Sequence, residues 1–443
     1  MSDADEMARV AADFHLSERG ANATKPPFSY LHAFFRAAAE PYDPEARPDG
    51  YVNLAVAQNF LTVDTVQARL RAAMATEQPA STAGYDNMRG SDRLRAALAS
   101  HMRRVLAPDA PADAVHPDQL CVSAGCGAVI DNLFLAITSP GDGVLIPAPY
   151  YPAFDNDLRV RNGTVAVPVH GDAADTLPSP TTLDRAFAAS AERGAPVRAV
   201  LLTNPSNPLG VVYPLDDVLT VARWALDRGL HVVVDEVYAS SAFDAGEGQG
   251  AGARFVSALR FEDALGDAAK TRLHVVYGLS KDFCASGYRV GVLRTRNEGI
   301  IRAMDNVAYF CTLPGPMQFA VAEMLEDEAW TDAYLAANAK NLREAHGTLA
   351  AALTDAGVPV VRATAGMFVW IHLSSWMREP TWEEERRLWN ACFDDPECRL
   401  VMTPGKDCKS AVPGCFRMCF AAVQREALLE AVRRLKGLLA KYE

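Results

Sequence analysis

Short apolar runs separated by helical repeats dominate the middle of the chain. Residues 120–123, 143–147, 197–203, 231–234, 273–277 and 289–293 are rich in Val, Leu, Ile and Ala with few polar interruptions. Runs of this length and character are typical of strands buried on both faces. Between them, residues 129–137 and 215–228 space apolar side chains three and four apart, which gathers them on one face of a helix. Strands alternating with helices predict an α/β fold with a largely parallel sheet covered on both sides. Ligands of such sheets sit at the carboxyl ends of the strands, so the residues just after each strand carry the interest.

The flanks are patterned differently. Residues 66–75 and 91–105 repeat at helical spacing with Arg between the apolar positions, and Pro41, Pro44 and Pro48 break an extended stretch before them. The first 25 residues read as a loose or helical arm, and the Gly- and Ala-rich residues 240–253 as a surface loop. Towards the end, residues 332–356 and 425–442 predict helices, and 360–362, 367–372 and 416–420 predict strands. The chain therefore divides into residues 1–59, an N-terminal arm with part of a small domain, 60–310, a large domain, and 311–443, a C-terminal small α/β domain.

Charge and cysteine content narrow the function classes. A formal charge of −12 repels phosphate backbones, so nucleic acid is not an expected partner. The nine cysteines form no CxxC pair and have no histidine at ligand spacing, which predicts reduced thiols in a cytoplasmic protein and no metal site. The acidic first 20 residues lack the apolar core of a signal peptide. No run of about 18 apolar residues occurs, so no membrane span is expected.

Chemistry concentrates at the strand ends. Ser123-Ala124-Gly125-Cys126-Gly127-Ala128 is a glycine-rich turn opening a helix. Its free N–H groups and positive dipole end suit a phosphate, although glycine also serves plain steric needs there. Pro149-Tyr150-Tyr151-Pro152 sets two aromatics in a proline-fixed turn, available for stacking on a flat ring or for loop packing. Asn204-Pro205-Ser206-Asn207-Pro208-Leu209-Gly210 is a rigid loop that aims an amide side chain. Asp235-Glu236-Val237-Tyr238 puts a carboxylate just past a buried strand, where it needs a partner. Ser280-Lys281-Asp282 follows the next strand, and Arg289 stands eight residues after Lys281.

The order NPxNPxG, DExY, then SK and a following Arg resembles the class I/II aminotransferase family of pyridoxal-phosphate enzymes. Three stretches resemble the 1-aminocyclopropane-1-carboxylate (ACC) synthase group within it. They are Asn53-Leu54-Ala55-Val56-Ala57-Gln58-Asn59 after Pro41-Tyr42-Asp43, Pro149-Tyr150-Tyr151-Pro152-Ala153-Phe154-Asp155, and Cys415-Phe416-Arg417-Met418-Cys419-Phe420-Ala421. The resemblance implies the fold type I α/β architecture: a mostly parallel, seven-stranded central sheet in a large domain, with a smaller α/β domain. It implies pyridoxal 5′-phosphate as cofactor, carried by Lys281 as a Schiff base, with Lys281 also acting as base at Cα. Asp235 is then the partner of the ring nitrogen, Asn207 and Tyr238 those of the ring oxygen, and Tyr151 the stacking ring. Gly127, Ala128, Ser280 and Arg289 take the phosphate. Arg417 grips the substrate α-carboxylate, with Tyr150 and Gln58 beside the substrate.

Three positions depart from the group. Gln58 stands where a glutamate is usual, Met88 where a phosphate-binding tyrosine is usual, and Gly278 where a phosphate-binding serine is usual, so that either Arg89 or Ser280 compensates or the phosphate cup is enlarged and rewired. The implied reaction is Cα deprotonation of an S-adenosylmethionine-type amino acid followed by γ-elimination or γ-replacement, the latter with a second substrate. The alternatives are an aminotransferase that releases a keto acid and, more remotely, a non-catalytic protein that keeps the fold. The resemblance also implies a homodimer.

Overall fold

The computed structural model describes residues 3–111, 113–173, 175–243 and 253–442. Its centre is a seven-stranded sheet of β1 (Leu120–Ala124), β2 (Gly143–Ala148), β3 (Val165–His170), β4 (Val197–Thr203), β5 (His231–Asp235), β6 (Leu273–Gly278) and β7 (Val290–Thr295). The strand order is β1-β7-β6-β5-β4-β2-β3. All neighbours run parallel except β7, which is antiparallel to both β1 and β6. Every residue of β2, β6 and β7 is buried, as expected of strands covered on two faces. Val232, Val233 and Val234 in β5 are each 2% exposed or less, and burying one such side chain stabilises the fold by about 1.5–3 kcal/mol. The edge strand β3 was not apparent from the sequence. It contains Pro168, which an edge strand tolerates because one side of its backbone needs no ladder partner.

A second, four-stranded sheet holds β8 (Val360–Val361), β9 (Phe368–His372), β10 (Thr403–Pro404) and β11 (Cys415–Cys419), in the order β10-β11-β9-β8 and antiparallel throughout. Its core gathers Tyr30, Tyr51 and Leu54 from the start of the chain with Leu342, Phe416 and Leu435 from its end. The helix Gly315–Glu326, read from sequence as the start of the small domain, instead contributes Val321, Met324 and Leu325 to the core of the large sheet, as do Tyr334 and Leu335. The first 25 residues form two short helices, Asp3–Asp13 and Glu18–Ala23. Of the loop predicted at 240–253, residues 244–252 lie outside the described residues. Among the described residues no helix is long and apolar enough to cross a membrane.

The sheet register positions the site. Thr203 at the end of β4 pairs with Asp235 at the end of β5, which pairs with Val276 in β6. β4 and β5 therefore end level, β6 runs two residues further to Gly278, and the loops after them open onto one common ledge.

Candidate active site

That ledge borders a cavity of about 250 Å³ lined by Cys126, Gly127, Tyr151, Asp157, Asn207, Asp235, Tyr238, Ser280, Lys281 and Arg289, among others. One wall is the start of helix α1 (Cys126–Ile137), capped by Gly125 at φ +90°, a conformation that side-chain-bearing residues rarely adopt. A Cβ on Gly125 would also lie 2.7 Å from the Arg289 guanidinium carbon, so glycine lets that arginine lie across the turn. Arg289 is itself left-handed at φ 58°, and its two terminal nitrogens donate to the carbonyls of Ser286 (2.9 Å) and Ala124 (3.2 Å). Cation and helix N-terminus thus meet at one end of the cavity.

Asp235 lines the same cavity. Its carboxyl accepts the Val237 N–H at 3.2 Å, and burial pushes it up to about 7, against the pull of that N–H and of Lys281. A carboxyl held this way takes a cationic partner readily. The Asn207 amide donates to the Tyr238 hydroxyl at 3.2 Å, which brings the loop after β4 against the loop after β5. Burial raises the Tyr238 and Tyr151 phenols, so both keep their protons.

Lys281 lines the cavity from the short helix Leu279–Asp282. Its amine donates to the Ala57 carbonyl, and burial holds it down at about 8, with Arg417 lowering it further. The next residue anchors this turn: Asp282 accepts from Ser241 Oγ at 2.6 Å and the Ser240 N–H at 2.9 Å.

Arg417 is 2% exposed. It donates to Asn207 Oδ1 at 2.8 Å, to Thr403 Oγ1 at 3.0 Å and to the Ala55 carbonyl at 2.5 Å. Among the described residues its buried Nε has no hydrogen-bond partner.

The remaining positions named from the sequence lie outside the lining of this cavity. Tyr150 is buried with its hydroxyl donating to Asp155 at 2.6 Å. Gln58 lines a neighbouring groove of about 610 Å³ with Phe34, Tyr42 and Phe60, one residue past the carbonyl that Lys281 binds. Arg89 does not compensate for the missing hydroxyls, because it pairs with Asp305 at 2.5 Å, whereas Ser280 lines the cavity. Met88 packs against the core cluster that holds Ile130 and Phe154 and is not among the residues lining the cavity. Gly278 has a steric cause: a Cβ there would lie 2.6 Å from Cys126 Sγ and 2.8 Å from the Val290 carbonyl.

Sequence reasoning missed Asp157 and Thr203, which line the cavity, and the carbonyls of Ala55 and Ala57. It also missed Thr403, which binds Arg417, and Tyr30, whose phenol burial pushes up to about 12 near Arg417. No motif marks these residues. The hydrophobic pattern placed β4, and Thr203 is its last residue, but nothing in the pattern distinguishes a cavity-facing terminus.

A buried lysine with a lowered pKa, a buried carboxyl lining the same cavity and an anion-ready helix start beside an arginine fit pyridoxal 5′-phosphate in its three reactive parts. Fold and site together define a pyridoxal-phosphate-dependent enzyme of fold type I. The comparisons with known proteins agree. The profile of aminotransferase class I and II matches residues 50–435, and the chain belongs to that family. It is 32% identical over 438 residues to 1-aminocyclopropane-1-carboxylate synthase 6 of Oryza sativa subsp. japonica, covering 96% of this chain and 79% of that protein. It is 35% identical to synthase 4 of the same species, covering 98% and 92%. Among solved structures it superposes on Thermus thermophilus aspartate aminotransferase with maleate at a TM-score of 0.74 and 25% identity, over 96% of this chain and 99% of that one.

Proposed function

We propose that the protein removes the Cα proton of an S-adenosylmethionine-type amino acid and then eliminates or replaces its γ-substituent. The observation that carries this reading is the Lys281 amine, lowered to about 8 and held by the Ala57 carbonyl, one residue from Gln58 and its groove. Aromatic side chains and about 610 Å³ of space suit a substrate with a nucleoside-sized substituent better than a small dicarboxylic acid.

When bound, pyridoxal phosphate supplies an electrophilic carbon and a ring that withdraws electrons from Cα. In this reading the protein's own groups do the rest. Lys281 captures the cofactor and moves the Cα proton, for which a pKa near the working pH is suited. Asp235 would hold the ring nitrogen, Asn207 and Tyr238 the ring oxygen, and Tyr151 would stack on the ring. Arg289, Ser280 and the N–H groups of Gly127 and Ala128 receive the phosphate. Arg417 takes the substrate carboxylate, exchanging the Ala55 or Asn207 contact for it.

Gln58 bears on the outcome. A neutral amide cannot act as a base or offset positive charge near the sulfonium, so little ACC is expected from S-adenosylmethionine even where it is consumed. The second reading, transamination, draws on the likeness to aspartate aminotransferase. Incubation with S-adenosylmethionine, and separately with amino acids plus 2-oxoglutarate, separates the two by release of methylthioadenosine or keto acid. Efficient ACC formation by the wild type would overturn the argument from Gln58, and Gln58→Glu should move the products toward ACC. Free thiols at all nine cysteines support a reducing, cytoplasmic setting. The largely exposed Tyr85 and Phe310 support a homodimer.

A further inference from the structure

The last residue of β4 carries a hydroxyl that the site as described leaves idle. Thr203 lines the cavity and is 8% exposed, and its Oγ1 is buried with no hydrogen-bond partner among the described residues. A buried hydroxyl left unbonded weakens the fold that carries it. Valine has nearly the same shape and is equally at home in a strand, so packing alone gives no reason for threonine here.

The strand pattern gives the side chain its direction. Residues two apart along a strand share a face. Ala199 and Leu201 share the Thr203 face, and with Val233 of β5 they belong to the core cluster that also holds Ile130 and Phe154, both of which line the cavity. The intervening Val200 and Leu202 join the core on the other side of the sheet, with Val232 and Val234. Thr203 and Asp235 are register partners, so their side chains stand together at the top of the Leu201 and Val233 face, on strands about 4.8 Å apart. Backbone bonds fix them there. The Asn204 N–H donates to the Asp235 carbonyl at 3.0 Å, and the Glu236 N–H to the Val276 carbonyl at 2.8 Å. Adjustment is left to the side chains, and a threonine hydroxyl turns about a single bond.

Asp235 is short of donors. Among the described residues its carboxyl accepts one hydrogen bond, from the Val237 N–H to Oδ1 at 3.2 Å. An ionised carboxylate has about four acceptor positions, and one buried this deeply stays charged only when hydrogen bonds and a cation support it. Other donors in the cavity are engaged elsewhere. The Asn207 amide donates to the Tyr238 hydroxyl, and the Ser286 hydroxyl to the Ser280 carbonyl at 2.8 Å. Thr203 stands beside Asp235 with its hydroxyl proton unused.

We propose that Thr203 is a positioning residue: with the cofactor seated, its hydroxyl donates to the Asp235 carboxylate and keeps it charged and aimed at the ring nitrogen. This deepens the reading above and rests on it, since it takes Asp235 as the partner of the ring nitrogen of pyridoxal phosphate. The hydroxyl is then idle in the empty site and bonded in the filled one.

The test is binding to the full-length chain stripped of cofactor. Dissociation constants are measured for pyridoxal phosphate and for 1-deazapyridoxal 5′-phosphate, in which a C–H replaces the ring nitrogen. The proteins compared are the wild type, Thr203→Val, Thr203→Ser, Asp235→Ala and the Thr203→Val, Asp235→Ala pair. Thr203→Val should bind pyridoxal phosphate about tenfold more weakly, the scale of one hydrogen bond to a charged group. Thr203→Ser keeps the hydroxyl and should bind it as the wild type does. For the deaza compound, and in the Asp235→Ala background, Thr203→Val should make no difference. Urea unfolding of the empty proteins shows that folded chains are being compared, and Thr203→Ala replaces Thr203→Val if valine does not fold. Unchanged affinity for pyridoxal phosphate in Thr203→Val, an equal loss for the deaza compound, or a loss that persists in Asp235→Ala would overturn the proposal. Failure of the wild type to bind pyridoxal phosphate, or wild-type affinity in Asp235→Ala, would instead count against the reading on which it rests.

Discussion

The pH dependence of cofactor capture follows from the surroundings of Lys281. A free lysine amine titrates near 10.5, so at pH 7 about one in three thousand is neutral and nucleophilic. Burial and the nearby Arg417 cation hold Lys281 at about 8, which makes about one in ten neutral at the same pH. The gain is roughly 300-fold in reactive amine. Because the native pKa is depressed, the charged form dominates below 8 and the neutral form above it. Covalent capture of added pyridoxal phosphate by the apoenzyme should therefore rise about tenfold per pH unit up to 8 and then level off. Stopped-flow absorbance, following the visible band that borohydride erases, gives this rate at each pH. Arg417→Met provides a control that the titration of the free cofactor cannot imitate. Without that cation the amine should hold its proton more tightly, and the midpoint should move to higher pH. A midpoint near 10, a flat profile, or a midpoint unmoved by Arg417→Met would refute the reasoning.

Two further outcomes are expected. If Asp235 is the partner of the ring nitrogen, as proposed, Asp235→Ala should slow turnover by several orders of magnitude, and a loss under about tenfold would place that role elsewhere. Gly278→Ser should restore no hydroxyl function, because its Cβ meets Cys126 Sγ at 2.6 Å and the Val290 carbonyl at 2.8 Å. Overpacking of this kind costs about 1–3 kcal/mol, readable as a lowered midpoint in urea, and Cys126→Gly should recover only the part owed to the sulfur.

Much of this architecture could be read from the chain because its strands are buried on both faces. Uninterrupted runs such as Val232-Val233-Val234 announce themselves, and the residues after them are fixed by strand length. β3 was harder, since it is half exposed and broken by Pro168. The cavity residues carried by motifs, among them Lys281, Asp235 and Asn207, were equally legible. Asp157 and Thr403 were not, because what brings them in is tertiary: one arrives on a helix packed against α1, the other through a two-residue pairing with β11. The placement of Gln58 and Tyr150 depends on the path of local backbone and on Asp155, neither of which spacing reveals. The helix Gly315–Glu326 shows the same limit for domains, since an apolar face does not say which core it will join.

The contacts of Lys281 with Ala57 and of Arg417 with Asn207 cross between the two cores, in opposite directions. The same few side chains therefore fasten the small unit to the large one and furnish the reactive groups. Separation of the two units breaks the site, and anything seated in the site resists separation. A ligand present at a hundred times its dissociation constant adds about 2.7 kcal/mol to whatever holds its site together. The seat is also a clasp, so heat, protease or denaturant should meet a looser molecule whenever it is emptied.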